Sequence, residues 1–218
     1  MSVNTISFDF RHNYNNNITA TIETNNLILR SIKEEDADSC ANSCYDVCKP
    51  KQAVNRCLDG TTKTMEQTAE AIKILTNRWL IGDPFSGFSV HIKNERKNDT
   101  FAGIVILGHG DHPGVAKLEG IGSTEFWDKG YGIEATEALI HLLASHLAAE
   151  PYLVGPTPET RQPLKKIVAT CRTDSTYALR TLDCIMRRNI QSTLHDGMLW
   201  INYEHNLPQK SRHMCVLL

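Results

Sequence analysis

The chain has 218 residues, 41% of them hydrophobic and 22% charged, and a formal net charge of -2. This is the composition of one soluble globular domain long enough to bury a core, and its near-neutrality gives no global attraction for nucleic acid. No apolar run has the length of a membrane span, the opening "MSVNTISFDFRHNYNNN" lacks a signal peptide's apolar centre, and seven cysteines without a secretion signal imply reduced thiols in a cytoplasm.

Residues 1–20 carry Asn13, Asn15, Asn16 and Asn17 and read as an arm or an added strand, ahead of a main domain over residues 21–206 and a tail over residues 207–218. Asn25–Ile32 is apolar and β-branched, a strand. Residues 33–48 read as a helix in which Ala37, Cys40, Ala41, Cys44, Val47 and Cys48 share one face, with Glu34, Glu35 and Asp36 at its positive end. Cys40, Cys44 and Cys48 could be metal ligands or small core hydrophobes. Zinc sites use closer knuckles with a matching His/Cys pair downstream, so packing is the favoured reading.

A second helix, Met65–Leu80, places Ala69, Ile72, Leu75 and Trp79 on one stripe. Gly82–Gly87 is a turn, and strands over 88–94 and 100–108 make a hairpin through "ERKND". A strand over 115–124 follows the turn Gly110–Gly114, and a helix then runs to Leu147. After the Pro-rich connection Glu150–Pro163 come a strand (164–171), a helix (175–188) and a strand, Met198–His205. The order β-α-α-β-β-β-α-β-α-β describes a single α/β domain, a mixed sheet with helices on its faces.

Chemistry concentrates at Trp127–Leu139, "WDKGYGIEATEAL", where Gly130 and Gly132 precede a helix. That helix has an apolar side (Ile133, Leu139, Ile140, Leu143, Leu147) and a polar one (Glu134, Glu137, His141, Ser145). A strand feeds its N-terminus, whose unpaired N–H groups and partial positive charge can hold an anion, and glycines let the backbone approach closely. Lys129 adds a full charge. A phosphate cradle and a purely structural turn both satisfy this pattern.

Three segments together resemble the GCN5-related N-acetyltransferase (GNAT) superfamily, in its branch of ribosomal-protein alanine acetyltransferases. "TNNLILRSIKEEDADS" is similar to that branch's opening strand and helix start, "EFWDKGYGIEATEAL" to its acetyl-CoA loop, and "ATCRTDSTYALRTLDCIMRR" to its last helix. The resemblance covers about Thr24 to Tyr203. It implies the GNAT fold, a single mixed and mostly antiparallel twisted sheet with helices on both faces, and acetyl transfer from acetyl-CoA to a primary amine of a protein N-terminus, a lysine or a small molecule. It also implies that the N–H groups of Trp127, Asp128, Lys129, Gly130, Tyr131 and Gly132 hold the pyrophosphate. The strand end at Ile121, Gly122 and Ser123 would pair with the pantetheine arm, beside a splayed pair of strands, and Glu134 would hold the loop to the helix start. On this reading Gly130→Asp and Gly132→Asp would each abolish acetyl-CoA binding and leave the fold largely intact.

The final motif departs from the family. Its asparagine is Ser175, its serine (a proposed acid for the leaving thiolate) is Ala178, and the tyrosine used elsewhere falls at Leu182. A strand glutamate often found before the loop aligns with Lys117. The remaining base candidate is Glu119, two residues from Lys117 on the same strand face, which could equally be a surface Glu–Lys pair. Glu125 is a loop carboxylate. Ser175, Tyr177 and Cys171 are candidate proton donors, although a tyrosine here could simply be packed. Two functions stand: an acetyltransferase, or a binding or scaffold module of the same fold with decayed catalysis.

The tail "QKSRHMCVLL" ends in Cys215-Val216-Leu217-Leu218, a prenylation pattern whose terminal leucine points to geranylgeranyl, with Lys210, Arg212 and His213 as a small basic patch. Coincidence, or an apolar tail docked on the domain, would produce the same letters. Because prenyltransferases are eukaryotic and the acetyltransferase branch chiefly bacterial, the combination describes a bacterial effector, a lipoprotein anchored at membranes of a host cell. Expressed in eukaryotic cells, the chain is expected to gain a prenyl mass and fractionate with membranes, and Cys215→Ser to do neither.

Overall fold

The computed structural model describes residues 5–12, 17–33, 37–38, 40–42, 64–94, 99–122, 127–150, 152–195 and 197–208. Its strands are β1 (Thr5–His12), β2 (Ile18–Thr24), β3 (Leu27–Ser31), β4 (Gly87–Ile92), β5 (Thr100–His109), β6 (Val115–Gly122), β7 (Leu153–Val154), β8 (Gln162–Pro163), β9 (Lys166–Arg172), β10 (Arg187–His195) and β11 (Met198–Asn206). All but β7 and β8 join one sheet in the order β1-β2-β3-β4-β5-β6-β9-β11-β10. Every neighbouring pair in it is antiparallel except β6 with β9. This is the mixed, mostly antiparallel sheet that the resemblance implies.

Helices cover both faces, and side-chain alternation along β5 shows why. Val105 and Leu107 enter one apolar cluster, with Leu139, Ile140, Leu143 and Leu147 from the helix that follows the glycine doublet. Ile104 enters the other, with Ile72 and Leu75 from α1 (Met65–Leu80) and with Ala37, Cys40 and Ala41. α1 starts where Thr64 and Gln67 cap each other reciprocally, the Gln67 N–H donating to Thr64 Oγ1 at 3.2 Å and the Thr64 N–H to Gln67 Oε1 at 2.9 Å. The predicted stripe of α1 is the observed one, with Ile72, Leu75 and Trp79 buried. The second helix, α2 (Tyr131–Ala138), continues through a wide-turned stretch, Leu139–Ala144, to Ser145–Ala149. The third, α3 (Thr176–Ile185), packs beside it. No helix among the described residues is long and apolar enough to cross a membrane.

Two sequence expectations need amendment. The strand expected from Asn25 is the second arm of a hairpin, β2–β3, and β1 pairs with β2 from His12↔Ile18 to Thr5↔Thr24, so the N-terminal region builds three strands of the sheet. The helix expected to reach Arg188 stops at Ile185, and Arg187 opens β10. Asp183 explains the stop. It accepts from the Arg188 guanidinium at 2.6 and 2.5 Å and from Tyr203 Oη at 2.9 Å, which turns the chain back along β11. Of the cysteine helix only residues 37–38 and 40–42 are described, and they are helical; Cys40 is buried in apolar surroundings, and Cys44, Val47 and Cys48 lie outside the described residues.

One buried polar cluster fastens the Pro-rich connection. Asp83, in the turn after α1, accepts from His109 Nε2 at 2.8 Å, from Arg161 Nη2 at 3.2 Å and from the Phe85 N–H at 3.1 Å. The Gly155 N–H donates to His109 Nδ1 at 3.3 Å, which puts the imidazole proton on Nε2, toward Asp83. Burial pushes the Asp83 carboxyl up, but the hydrogen bond from His109, the Phe85 N–H and Arg161 outweigh it and hold the group below its ordinary value. A carboxyl depressed in the folded state stabilises the fold above its unfolded pKa, and that contribution is lost as pH falls through the folded one. Asp83→Asn is therefore expected to cost about 2–3 kcal/mol in urea unfolding at neutral pH. The gap between variant and wild type should close as the medium is acidified below about pH 4.

Candidate active site

β6 and β9 run parallel but stay paired only from Val115↔Lys166 to Lys117↔Val168. Beyond that, β6 remains with β5 as far as Gly103↔Gly122, and β9 remains with β11 as far as Trp200↔Arg172. The two halves of the sheet thus part, and residues 118–122 of β6 form one wall of a cleft whose other wall is residues 169–172 of β9. Main-chain groups on the facing edges have no ladder partner across it, so an extended ligand can supply one. Gly103, at φ 149°, lies so close to β6 that a Cβ there would come within 2.1 Å of the Ile121 carbonyl oxygen. A glycine is needed at that crossing.

The two glycines of the opening motif serve different needs. Gly130 is the N-cap of α2 at φ 82°, a left-handed conformation that favours glycine, and a Cβ on it would meet nothing within 4 Å. Asp128 is also left-handed, at φ 60°, and its carboxylate accepts from Arg180 of α3 at 3.0 Å. Gly132 is different. A Cβ there would stand 2.1 Å from Tyr177 Oη, so glycine is required because α3 lays a tyrosine over the first turn of α2. Gly132 and the Thr181 hydroxyl both lie beside that phenol oxygen. Burial raises the Tyr177 pKa above its ordinary value, with those two neighbours acting the other way. Tyr177 stacks on Trp127, ring centroids 5.6 Å apart at 12°, and Trp127 Nε1 donates to the Gly122 carbonyl at 3.1 Å.

Glu134 is structural, but it holds the helix start to a different partner than the loop: its carboxylate accepts from the Asn26 N–H and from Asn26 Nδ2, both at 2.9 Å, tying the β2–β3 turn to the first turn of α2. Glu119 and Lys117 share one face of β6 and form an ion pair at 2.6 Å, with 25% and 39% of their side chains exposed. In register Glu119 lies opposite Ile106, on the sheet face that α1 covers.

The model of a family described as "Acetyltransferase (GNAT) domain" matches residues 26–182, well over half of the chain. The chain belongs to the GNAT acetyltransferase family. No curated protein is matched at the level of sequence. Among solved structures it is similar to a GNAT-family acetyltransferase from Bacillus anthracis, with TM-score 0.58 and 17% identity over 86% of this chain and 97% of that one. It is similar also to RimL, the ribosomal L7/L12 alpha-N-protein acetyltransferase, solved with coenzyme A, with TM-score 0.61 and 14% identity over 84% and 95%. A Salmonella typhimurium acetyltransferase that modifies the N-terminal serine of L7/L12 gives TM-score 0.61 and 14% identity over 84% and 96%.

In this acetyltransferase the acetyl donor is acetyl-CoA, and the residues present fit its pyrophosphate: a helix start with its positive end exposed beside Gly130, and Lys129 next in the chain. Ile121 and Gly122 end β6, and Trp127, Asp128, Lys129, Gly130, Tyr131 and Gly132 form the turn and helix start of α2, whereas Ser123, Glu125 and Cys215 lie outside the described residues. Ser175 is the N-cap of α3 and is buried, next to the end of β9. Cys171 is buried beside it; burial pushes its thiol up to about 11, the Ser175 hydroxyl acting against that. Ala178 packs against the main apolar cluster, and Leu182 is part of it, so neither departure from the family motif leaves a polar group at the cleft. Sequence reasoning named Tyr177 as a proton donor but missed what it touches, because its partners Trp127 and Gly132 belong to another element. The available signal was Gly132 itself, a glycine inside a helical turn, which marks a close approach by something large.

Proposed function

We propose that this acetyltransferase acylates a primary amine presented at the open end of the β6–β9 cleft, on the sheet face that carries Glu119. The observation that carries the reading is the parting of β6 from β9 beyond Lys117↔Val168, directly upstream of the Gly130 helix start. When bound, acetyl-CoA supplies an activated thioester carbonyl. The main-chain N–H groups of residues 118–122 that face away from β5 orient that carbonyl and stabilise the negative charge that develops on its oxygen. Holding amine and thioester together lowers the barrier by about 7–11 kcal/mol in favourable cases, so orientation accounts for more than any acid or base. Glu119 takes the proton from the incoming ammonium or amine, directly or through one water. With positions 178 and 182 apolar, Ser175 and Tyr177 are the hydroxyls left to protonate the departing thiolate.

Two structural neighbours modify the N-terminus of L7/L12, which makes a protein α-amine the first acceptor to try. Turnover should be measured against peptides with a free N-terminus and blocked lysines, against the converse peptides, and against polyamines. Because only the neutral amine attacks, kcat/KM should rise with pH. An α-amine acceptor gives a midpoint near about 8, a lysine one above about 10. Coenzyme A binding without turnover of any amine would favour the decayed binding module instead.

A further inference from the structure

The cleft mouth already holds two aromatic side chains, one bonded to a main-chain carbonyl of the acetyl-CoA path and the other laid against its helix start. Trp127 Nε1 donates to the carbonyl of Gly122, the last residue of β6, at 3.1 Å. Tyr177 reaches from α3 to the first turn of α2, its Oη where a Gly132 Cβ would be, only 2.1 Å from that position. The two rings stack, with centroids 5.6 Å apart and planes at 12°, so neither can leave without loosening the other. The phenol oxygen thus stands against the first turn of α2, whose N–H groups a pyrophosphate oxygen would need.

We infer that Trp127 and Tyr177 form a plug in the acetyl-CoA channel, Trp127 occupying a backbone carbonyl that the ligand takes over and Tyr177 standing against the helix start, so that ligand binding requires the stacked pair to swing out. This rests on the acetyl-CoA reading above and adds a gate to it. The pair sets the apparent affinity: a site that must first open binds more weakly by the fraction of time it is open. An open population of about 1–10% would weaken binding by about 10–100-fold. A tyrosine that merely packs α2 against α3 has the opposite signature, since removing it would loosen the helix start and weaken binding.

The test is calorimetric titration with coenzyme A of the wild type, Tyr177→Ala, Tyr177→Phe and Trp127→Phe, each with its unfolding temperature, alongside stopped-flow tryptophan fluorescence. Tyr177→Ala is expected to bind about 10-fold tighter or more. Tyr177→Phe and Trp127→Phe, which keep a stacked ring and lose one polar group, should gain less. Wild-type association should level off at high coenzyme A, limited by opening, while Tyr177→Ala stays linear. Wild-type binding with equal or weaker affinity in Tyr177→Ala overturns the plug and leaves the acetyl-CoA reading standing. Binding by Tyr177→Ala alone supports the plug in its strongest form, and binding by no variant overturns both. Should Tyr177→Ala not fold, Tyr177→Phe decides: tighter binding supports the plug, and equal or weaker binding overturns it.

Discussion

Gly130→Asp is expected to weaken acetyl-CoA binding by more than about 100-fold, with the fold retained. Two effects act together. At φ 82° a residue with a Cβ carries a left-handed strain of about 1–2 kcal/mol, and the new carboxylate sits at the positive end of α2, where it repels the pyrophosphate. Because a Cβ at this position meets nothing within 4 Å, there is no collision to unfold the loop. Gly130→Asn separates the two effects: asparagine tolerates the left-handed region and adds no charge, so it should stay within about 10-fold of wild type. Titration with coenzyme A, with thermal melts as a control, reads both. Gly132→Asp does not give so clean a result. Its side chain would strike Tyr177 before it met any ligand, so the expectation that both glycines act alike is revised.

Glu119→Gln is expected to lower kcat by about 10²-fold or more while leaving coenzyme A affinity unchanged. The carboxylate is partly exposed and paired with Lys117 at 2.6 Å, an arrangement worth under about 1 kcal/mol to stability, so a glutamine should not disturb the fold. The separation of kcat from affinity is what identifies a base rather than a surface ion pair. Lys117→Ala frees the carboxylate and should change kcat by no more than a few-fold; a loss as large as that of Glu119→Gln would assign the role to the pair. Steady-state kinetics with a saturating amine, beside a coenzyme A titration, makes the comparison.

The elements most legible in the sequence are those whose own periodicity decides their burial. The stripe Ile72, Leu75, Trp79 and the run Leu139, Ile140, Leu143, Leu147 each specify one apolar face, and each is buried as its spacing requires. β2 was legible too, and passed over: Ile18, Ala20, Ile22 and Thr24 alternate with half-exposed residues along seven positions, a period-2 pattern hidden by the asparagines before it. β10 carries no such pattern. Arg187–His195 is an edge strand whose position depends on the contacts of Asp183 with Arg188 and Tyr203, from 20 residues away in the chain for the latter.

The site divides in the same way. The helix start and its glycines can be read from thirteen consecutive residues, because a helix N-terminus is a local object. The cleft cannot, since it exists only where β6 and β9, distant in sequence, cease to pair. The reason for Gly132 is likewise non-local: α3 supplies the tyrosine that lies over it.

Hydrogen exchange with and without coenzyme A tests the central claim most directly. Main-chain groups at two places define the proposed channel, the facing edge of β6 and the first turn of α2. Adding coenzyme A is expected to slow exchange of the amides at residues 118–122 and 131–133, with little change in β1, β2 or the β10–β11 hairpin. Protection that spares both channel segments and appears elsewhere in the sheet would contradict the assignment of this cleft as the acetyl-CoA site.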